Sequence, residues 1–160
     1  MGTKFELDLT YDASIDAVGA MLDDPAFRES VCDAQGAITK TVSITQEGDV
    51  QKVVIDQTQP NDDIPSFARK FIGDQIQLVQ TELWSDSVSA DVEVVIPGKP
   101  GQMTGRATLS EADGVTTEHI DMEIQVNIPM VGGKLEKLIA DLLRKALRQE
   151  HAVGKDYLSA

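Results

Sequence analysis

The chain reads as an α+β protein: a curved antiparallel sheet of six to seven strands, two short helices after the first strand, and one long C-terminal helix against the sheet. Three observations predict this. "KFELDLTY" puts Phe5, Leu7, Leu9 and Tyr11 on one face at period two, and further alternating stretches follow it. Between the first stretch and the others, the period switches twice to that of a helix. Near the end, a single apolar stripe runs from Leu135 to Tyr157 at helical spacing.

Taken in order, Ser14 is positioned to cap a first helix whose apolar side is Ile15, Val18, Met21 and Leu22. Asp24-Pro25 ends it and opens a second, with Pro25 in the first turn, Phe27, Val31 and Cys32 as its apolar side, and Gly36 as the stop. "AITKTVSITQEGDVQKVVIDQTQ" is a pair of strands about the turn "QEGD". "PNDDIPSFARKFIGD" interrupts the sheet with a short helix carrying Ile64, Phe67, Ala68, Phe71 and Ile72 on one side. Four more strands follow in "QIQLVQTELWSD", "SVSADVEVVIPG", "QMTGRATLSEADG" and "VTTEHIDMEIQVNIP". In the last, Ile120, Met122, Ile124, Val126 and Ile128 face one way and His119, Asp121, Glu123, Gln125 and Asn127 the other. Gly132-Gly133 then lets the chain swing into the closing helix.

That helix is predicted over about 28 residues, about 42 Å, long enough to cross a whole sheet. Leu135, Leu138, Ile139, Leu142, Leu143, Ala146, Leu147, Val153 and Tyr157 share one arc, and Lys137, Asp141, Arg144, Lys145, Arg148 and Lys155 the opposite one. A twisted antiparallel sheet is concave, so a straight helix laid across it meets the rims more easily than the middle. Bulky filler is scarce: aromatics are 4%, with four Phe, two Tyr and one Trp. An apolar cavity between sheet and helix is the expectation, against the ordinary alternative of a filled core.

At 160 residues the chain is read as one domain, 1–160, with 41% apolar residues and no repeat or linker. Its 27 acidic and 14 basic residues give a net charge of −13, which disfavours nucleic acid and anionic membrane surfaces as partners. No apolar run approaches the roughly 20 residues of a membrane span, and the start lacks a signal-peptide core, so a cytoplasmic location is expected. Cys32 is the single cysteine, which excludes an internal disulfide. No cofactor fingerprint, phosphate loop, nucleophile triad or spaced metal-ligand cluster stands out, and no cofactor is expected.

The stretches "FELDLTYDASIDAVGAMLDDPAFRE", "IPSFARKFIGDQIQLVQTELW" and "NIPMVGGKLEKLIADLL" resemble the START-like superfamily, also called the SRPBCC or helix-grip fold. The first is similar to its opening, where a strand leads into D-P-x-F-R; the third resembles its P-x-x-G-G-K-x-E approach to the closing helix. Within the superfamily the chain looks most like an actinobacterial family of unknown function. The resemblance implies an elongated hydrophobic pocket between sheet and closing helix. Relatives of that kind bind lipids, sterols, polyketides or plant hormones, and some are cyclases or dehydratases.

Pattern and resemblance together nominate Phe27, Val31, Val42, Phe67, Phe71, Leu78, Glu82, Trp84, Met122, Ile124 and Ile139 as the pocket lining. The strand ending in "TELW" has two registers, and the one that buries Ile76, Leu78 and Trp84 also turns Gln80 and Glu82 inward. Glu150 falls in the middle of the apolar arc of the closing helix. It is expected to be wet or paired beyond the end of the sheet; the rival reading makes it a headgroup anchor or a general acid. Glu136 is assigned to the favourable field of the helix N-terminus. His119 is read as a surface residue, and His151 as a flank residue near a cavity mouth. Phe67 and Phe71 could close one end of the pocket as a lid.

Three functions follow from this reading. One is a non-enzymatic binder or carrier of a small hydrophobic molecule, lipid or polyketide-like. The second is a cyclase, dehydratase or isomerase-type enzyme using a pocket carboxylate. The third is a protein-interaction module with a filled core.

Overall fold

The computed structural model describes residues 2–160. Its elements are β1 (Thr3–Tyr11), α1 (Ile15–Leu22), α2 (Pro25–Ala34), β2 (Thr39–Glu47), β3 (Val50–Pro60), α3 (Ser66–Ile72), β4 (Gln75–Trp84), β5 (Ser89–Val95), β6 (Gly101–Ala112), β7 (Val115–Val126) and α4 (Gly132–Ser159). Local chemistry starts the first two helices. The Ser14 hydroxyl accepts from the Ala17 amide at 3.2 Å, and Asp24 accepts from Ala26 at 2.9 Å ahead of Pro25.

All seven strands form one antiparallel sheet in the order β1-β7-β6-β5-β4-β3-β2. The hairpin order is consecutive except that β1 returns to pair with β7, bringing Leu7 opposite Ile120. This is the helix-grip architecture: a curved open sheet, α1 and α2 after the first strand, and one long helix on the concave side.

The helix does not bridge the two rims as expected from a symmetrical bowl. α4 packs chiefly on β1 and β7 along one side and on α2, while α2 reaches across to β2 at the far edge. The inward residues of β6 help to explain the asymmetry. Gly101, Met103, Gly105 and Ala107 face the interior and present little bulk beyond the methionine. At Gly105 a Cβ would collide with the Asp121 carbonyl oxygen on β7, so only glycine permits this close approach of the two strands.

The approach to α4 also has a different basis from the one the glycine pair suggests. Met130, not a glycine, takes the left-handed turn at φ 73°. Gly132 is required sterically, since a Cβ would come within 2.4 Å of the Val126 carbonyl oxygen. Glu136 then pins the first turn of α4 to the sheet. Its carboxylate accepts from the Val126 amide at 2.9 Å and from the Thr3 hydroxyl at 2.8 Å.

Two apolar clusters fill the interior. The larger joins Tyr11, Val18, Met21, Phe27, Val53 and Ile124 with their neighbours around α1, α2, β1 and β7. The smaller gathers Ile64, Ala68, Val126 and Leu135 beneath α3 and the start of α4. No helix among the described residues is long and apolar enough to cross a membrane.

Candidate functional site

Between the smaller cluster and the middle of the sheet lies a cavity of about 230 Å³. Its roof is α4, from Leu135 through Leu138, Leu142 and Ala146 to Glu150. Those 15 residue steps correspond to about 22 Å of helix, so the space is elongated and narrow. Its floor is Ile76, Leu78 and Gln80 of β4, Val94 of β5, and Met103 of β6. Phe71 and Ile72 of α3 close one side.

One end of the cavity is polar. Gln35, Gln57, Gln80 and Glu150 all line it. The Gln80 amide donates to Glu82 at 2.6 Å, tying the wall to a charged group behind it. There Arg28 of α2 forms a two-pronged pair with Glu82, at 2.9 and 2.8 Å, and also donates to the Leu22 carbonyl at 2.8 Å. The Trp84 indole supplies Glu82 with another donor at 3.0 Å. Arg28 is 3% exposed and Glu82 5%, so this pair is satisfied deep inside the protein. Burial opposes ionisation of Glu82, but Arg28 and the hydrogen bonds outweigh it and hold the carboxyl below its ordinary range.

Two further carboxyl groups share this region without such compensation. Glu118 of β7 is 5% exposed, and its Oε1 has no hydrogen-bond partner among the described residues. Burial, with the nearby Glu150 and Glu82 adding to it, pushes its pKa up to about 8. Glu150 is pushed up to about 7, first by burial and then by Glu82, against the pull of Arg28. Tyr11 lies beside them with its hydroxyl also unpartnered, and burial drives its pKa well above the ordinary phenol value. Gly154 makes room for that ring, since a Cβ there would meet Tyr11 Cε1 at 2.7 Å. The group thus holds three carboxyls against one guanidinium, and Arg28 makes its ion pair with Glu82.

Of the residues nominated from sequence, Phe71, Leu78 and Ile139 lie on the cavity wall. The register of β4 turns Leu78, Gln80, Glu82 and Trp84 inward and leaves Leu83 41% exposed. Glu82 nevertheless sits behind the wall, held by Arg28. Phe27, Val31, Met122 and Ile124 are in the larger cluster, with Val42 packed against its edge, because α2 fills that end of the concave face. Phe67 packs in the smaller cluster with Lys134 Nζ 4.1 Å from its ring centre, while its neighbours Ala68 and Phe71 face the cavity.

Glu150 is neither beyond the sheet nor paired with a basic side chain; it lines the cavity and forms no hydrogen bond to the described residues. His151 points away, its Nε2 donating to the Thr10 carbonyl at 2.6 Å. The residues missed from sequence are Arg28 and Glu118. Both had a signal: Arg28 lies beside Phe27 and one turn before Cys32, and Glu118 shares the parity of Ile120 and Met122.

Two other features are weaker candidates. A larger hollow of about 470 Å³ lies beyond Trp84, about as open as the cavity under α4 but much more polar, being rimmed by Asp16, Asp23, Asp49 and Asp86. On the outer face of the sheet, Glu6, His119 and Asp121 bring potential metal-ligand atoms within 4.8 Å of one another. They form the only such grouping among the described residues; His119 Nδ1 already contacts Asp8 at 2.6 Å, and the group is largely solvated.

The fold has solved counterparts. TTHA0849 from Thermus thermophilus is 13% identical, with a TM-score of 0.65 over 98% of this chain and 97% of that one. Norcoclaurine synthase from Thalictrum flavum is 15% identical, with a TM-score of 0.64 over 100% of this chain and 88% of that one. The di-domain ARO/CYC BexL from the BE-7585A biosynthetic pathway is 15% identical, with a TM-score of 0.68; the match takes in 99% of this chain but 50% of that protein. These likenesses are of fold. No curated protein matches the sequence. Residues 6–158 do match a family model described as a protein of unknown function, DUF2505, and the chain belongs to that family.

Proposed function

We propose that this protein binds or carries a small hydrophobic molecule in the cavity between the sheet and α4, and that it does so in the cytoplasm. The observation that carries this reading is the elongated space under Leu135–Leu147, apolar along its length and polar at the Glu150 end. Apolar contact contributes about 25 cal/mol per Å² buried, and a few polar groups at one end orient the ligand. The volume narrows the ligand class. A cavity of about 150 Å³ holds a benzene, so 230 Å³ suits a slim molecule of about nine or ten heavy atoms, smaller than a full lipid or a fused polyketide. A filled interaction module is disfavoured by the same space.

Native mass spectrometry of gently purified protein tests the proposal. A stoichiometric adduct of low mass, lost in a Leu142→Trp variant, is the expected result. A protein that carries nothing and takes up no member of a panel of short-chain alcohols would defeat it.

A second reading, acid–base catalysis, is favoured by one observation. Glu150 and Glu118 have carboxyls poised near neutral pH, and Glu150 is at the cavity wall. Fold neighbours that include a norcoclaurine synthase and an ARO/CYC protein make this worth testing. Recovery of the bound molecule chemically unchanged after prolonged incubation at pH 7 would count against it.

A further inference from the structure

The cavity reading leaves open what the polar end recognises, and the arrangement of charge there answers this. Arg28 is the cation of the buried group, and it stands behind the cavity wall rather than on it. Its Nε donates to the Leu22 carbonyl, and each terminal nitrogen gives one of its two N–H groups to Glu82. Behind the wall at Glu150 stand two buried oxygens without partners, Glu118 Oε1 and Tyr11 Oη. An unpaired buried acceptor costs stability until a donor reaches it. Glu150 lines the cavity without a side-chain hydrogen bond to the described residues, and its ionised carboxylate can only accept, so the partner it lacks is a donor, best a charged one.

We propose that the cavity selects a slim primary ammonium compound, its cationic head against Glu150, with the charge of Glu118 behind the wall, and its apolar body beneath Leu138, Leu142 and Met103. This rests on the apolar-ligand reading above and narrows it. An ammonium group brings three donors, enough for the two Glu150 carboxylate oxygens and the Gln80 side-chain carbonyl on the cavity wall. A carboxylate or phosphate head is repelled at this end. The remaining cation on the wall, Lys99, lies near Pro100 and Gly101, and Gly101 pairs with Val126 under the start of α4 rather than near Glu150. The chain's net charge of −13 also raises the local concentration of cations and lowers that of anions.

Proton balance gives an independent readout. The groups facing one another are Tyr11 of β1, Arg28 and Cys32 of α2, Glu82 of β4, Glu118 of β7, and Glu150 of α4 with His151 beside it. Near pH 7 Glu118 and Glu150 carry part of their protons, because burial and mutual repulsion disfavour two bare carboxylates. An arriving ammonium stabilises the ionised forms, so protons leave as it binds. A neutral ligand of the same shape displaces none.

The test is calorimetric titration with n-octylammonium, n-octanol and n-octanoate at pH 7, each in two buffers of different ionisation enthalpy. Octylammonium is expected to bind at least about tenfold more tightly than octanol, with proton release, and octanoate most weakly. Glu150→Gln is expected to bring octylammonium down to the level of octanol. A circular dichroism spectrum and a urea midpoint at pH 5 like those of wild type certify the fold of the variant, and Glu118→Gln serves as the second probe. Equal or stronger binding of octanol or octanoate overturns the ammonium assignment and leaves the cavity reading standing. Binding of none of the three overturns both.

Discussion

The two halves of α4 face two different interiors. From His151 to Leu158 the helix lies against residues that fill their space: Tyr11 in edge contact with His151, and Phe27 in edge contact with Tyr157. From Leu135 to Leu147 the same apolar stripe looks across a gap at Leu78, Val94 and Met103. The helical pattern is continuous through both halves, so the difference comes from what the sheet and the short helices offer. β1 and α2 bring aromatic rings to one end. β4, β5 and β6 bring medium-sized aliphatics, a methionine and a glycine to the other. A hydrophobic stripe thus specifies that a helix is covered, while the bulk opposite it decides whether the cover is tight.

The sharpest way to break this comparison is at the polar boundary between the halves. Arg28→Met leaves Glu82 buried without its cation, beside Glu118 and Glu150, and is expected to cost about 3–5 kcal/mol in urea denaturation. The double variant Arg28→Met with Glu82→Leu should recover most of that loss. A single variant within about 1 kcal/mol of wild type would show that the pair is not buried as described.

Next in size is truncation on either side. Phe27→Ala is expected to cost about 3–5 kcal/mol, since the ring is fully buried in the filled half. Leu142→Ala borders space that already exists and should cost about 1–2 kcal/mol. Enlargement reverses the order of tolerance: Val18→Phe should destabilise by about 1–3 kcal/mol, whereas Leu142→Phe should be nearly neutral. Equal costs on both sides would erase the distinction.

The pH dependence is a smaller effect with a fixed sign. Folding raises the pKa values of Glu150 and Glu118 to about 7 and about 8, so between the unfolded value and these the native state holds more protons. Stability is therefore highest below the unfolded carboxyl pKa and declines as pH rises through about 5 to 8. The expected loss for Glu150 is about 2 kcal/mol, and Glu150→Gln should flatten that part of the profile. Smallest is Glu136→Gln, which keeps one acceptor for the Val126 amide and should cost about 1 kcal/mol by the same urea assay.

Periodicity made the architecture legible. Period-two runs located the strands, and the Leu135–Tyr157 arc located α4, because these patterns report burial directly. Counting apolar bulk also favoured the inward register of β4. The site was read less completely, for physical reasons visible in single residues. Arg28 stands inside the "DPAFR" motif beside the buried face of α2, a hint of burial, but its role depends on a carboxylate 54 residues later in sequence. Glu118 continues the inward face of β7, but the alternation was followed only where it was apolar. Glu150 was placed in the arc correctly and assigned to solvent, because the length of a sheet opposite a helix is set by strand tilt and not by either sequence. The lining by Gly101 was not legible because an absent side chain leaves no pattern.

The central claim is that the half of the interior under Leu135–Leu147 accepts a ligand and the other half does not. Methyl NMR during titration with n-octanol tests it directly, comparing Leu78, Met103, Ile139 and Leu142 with Val18, Met21 and Val53. Saturable shifts confined to the first set are the predicted result. Shifts of equal size in both sets, or none that saturates, would contradict it.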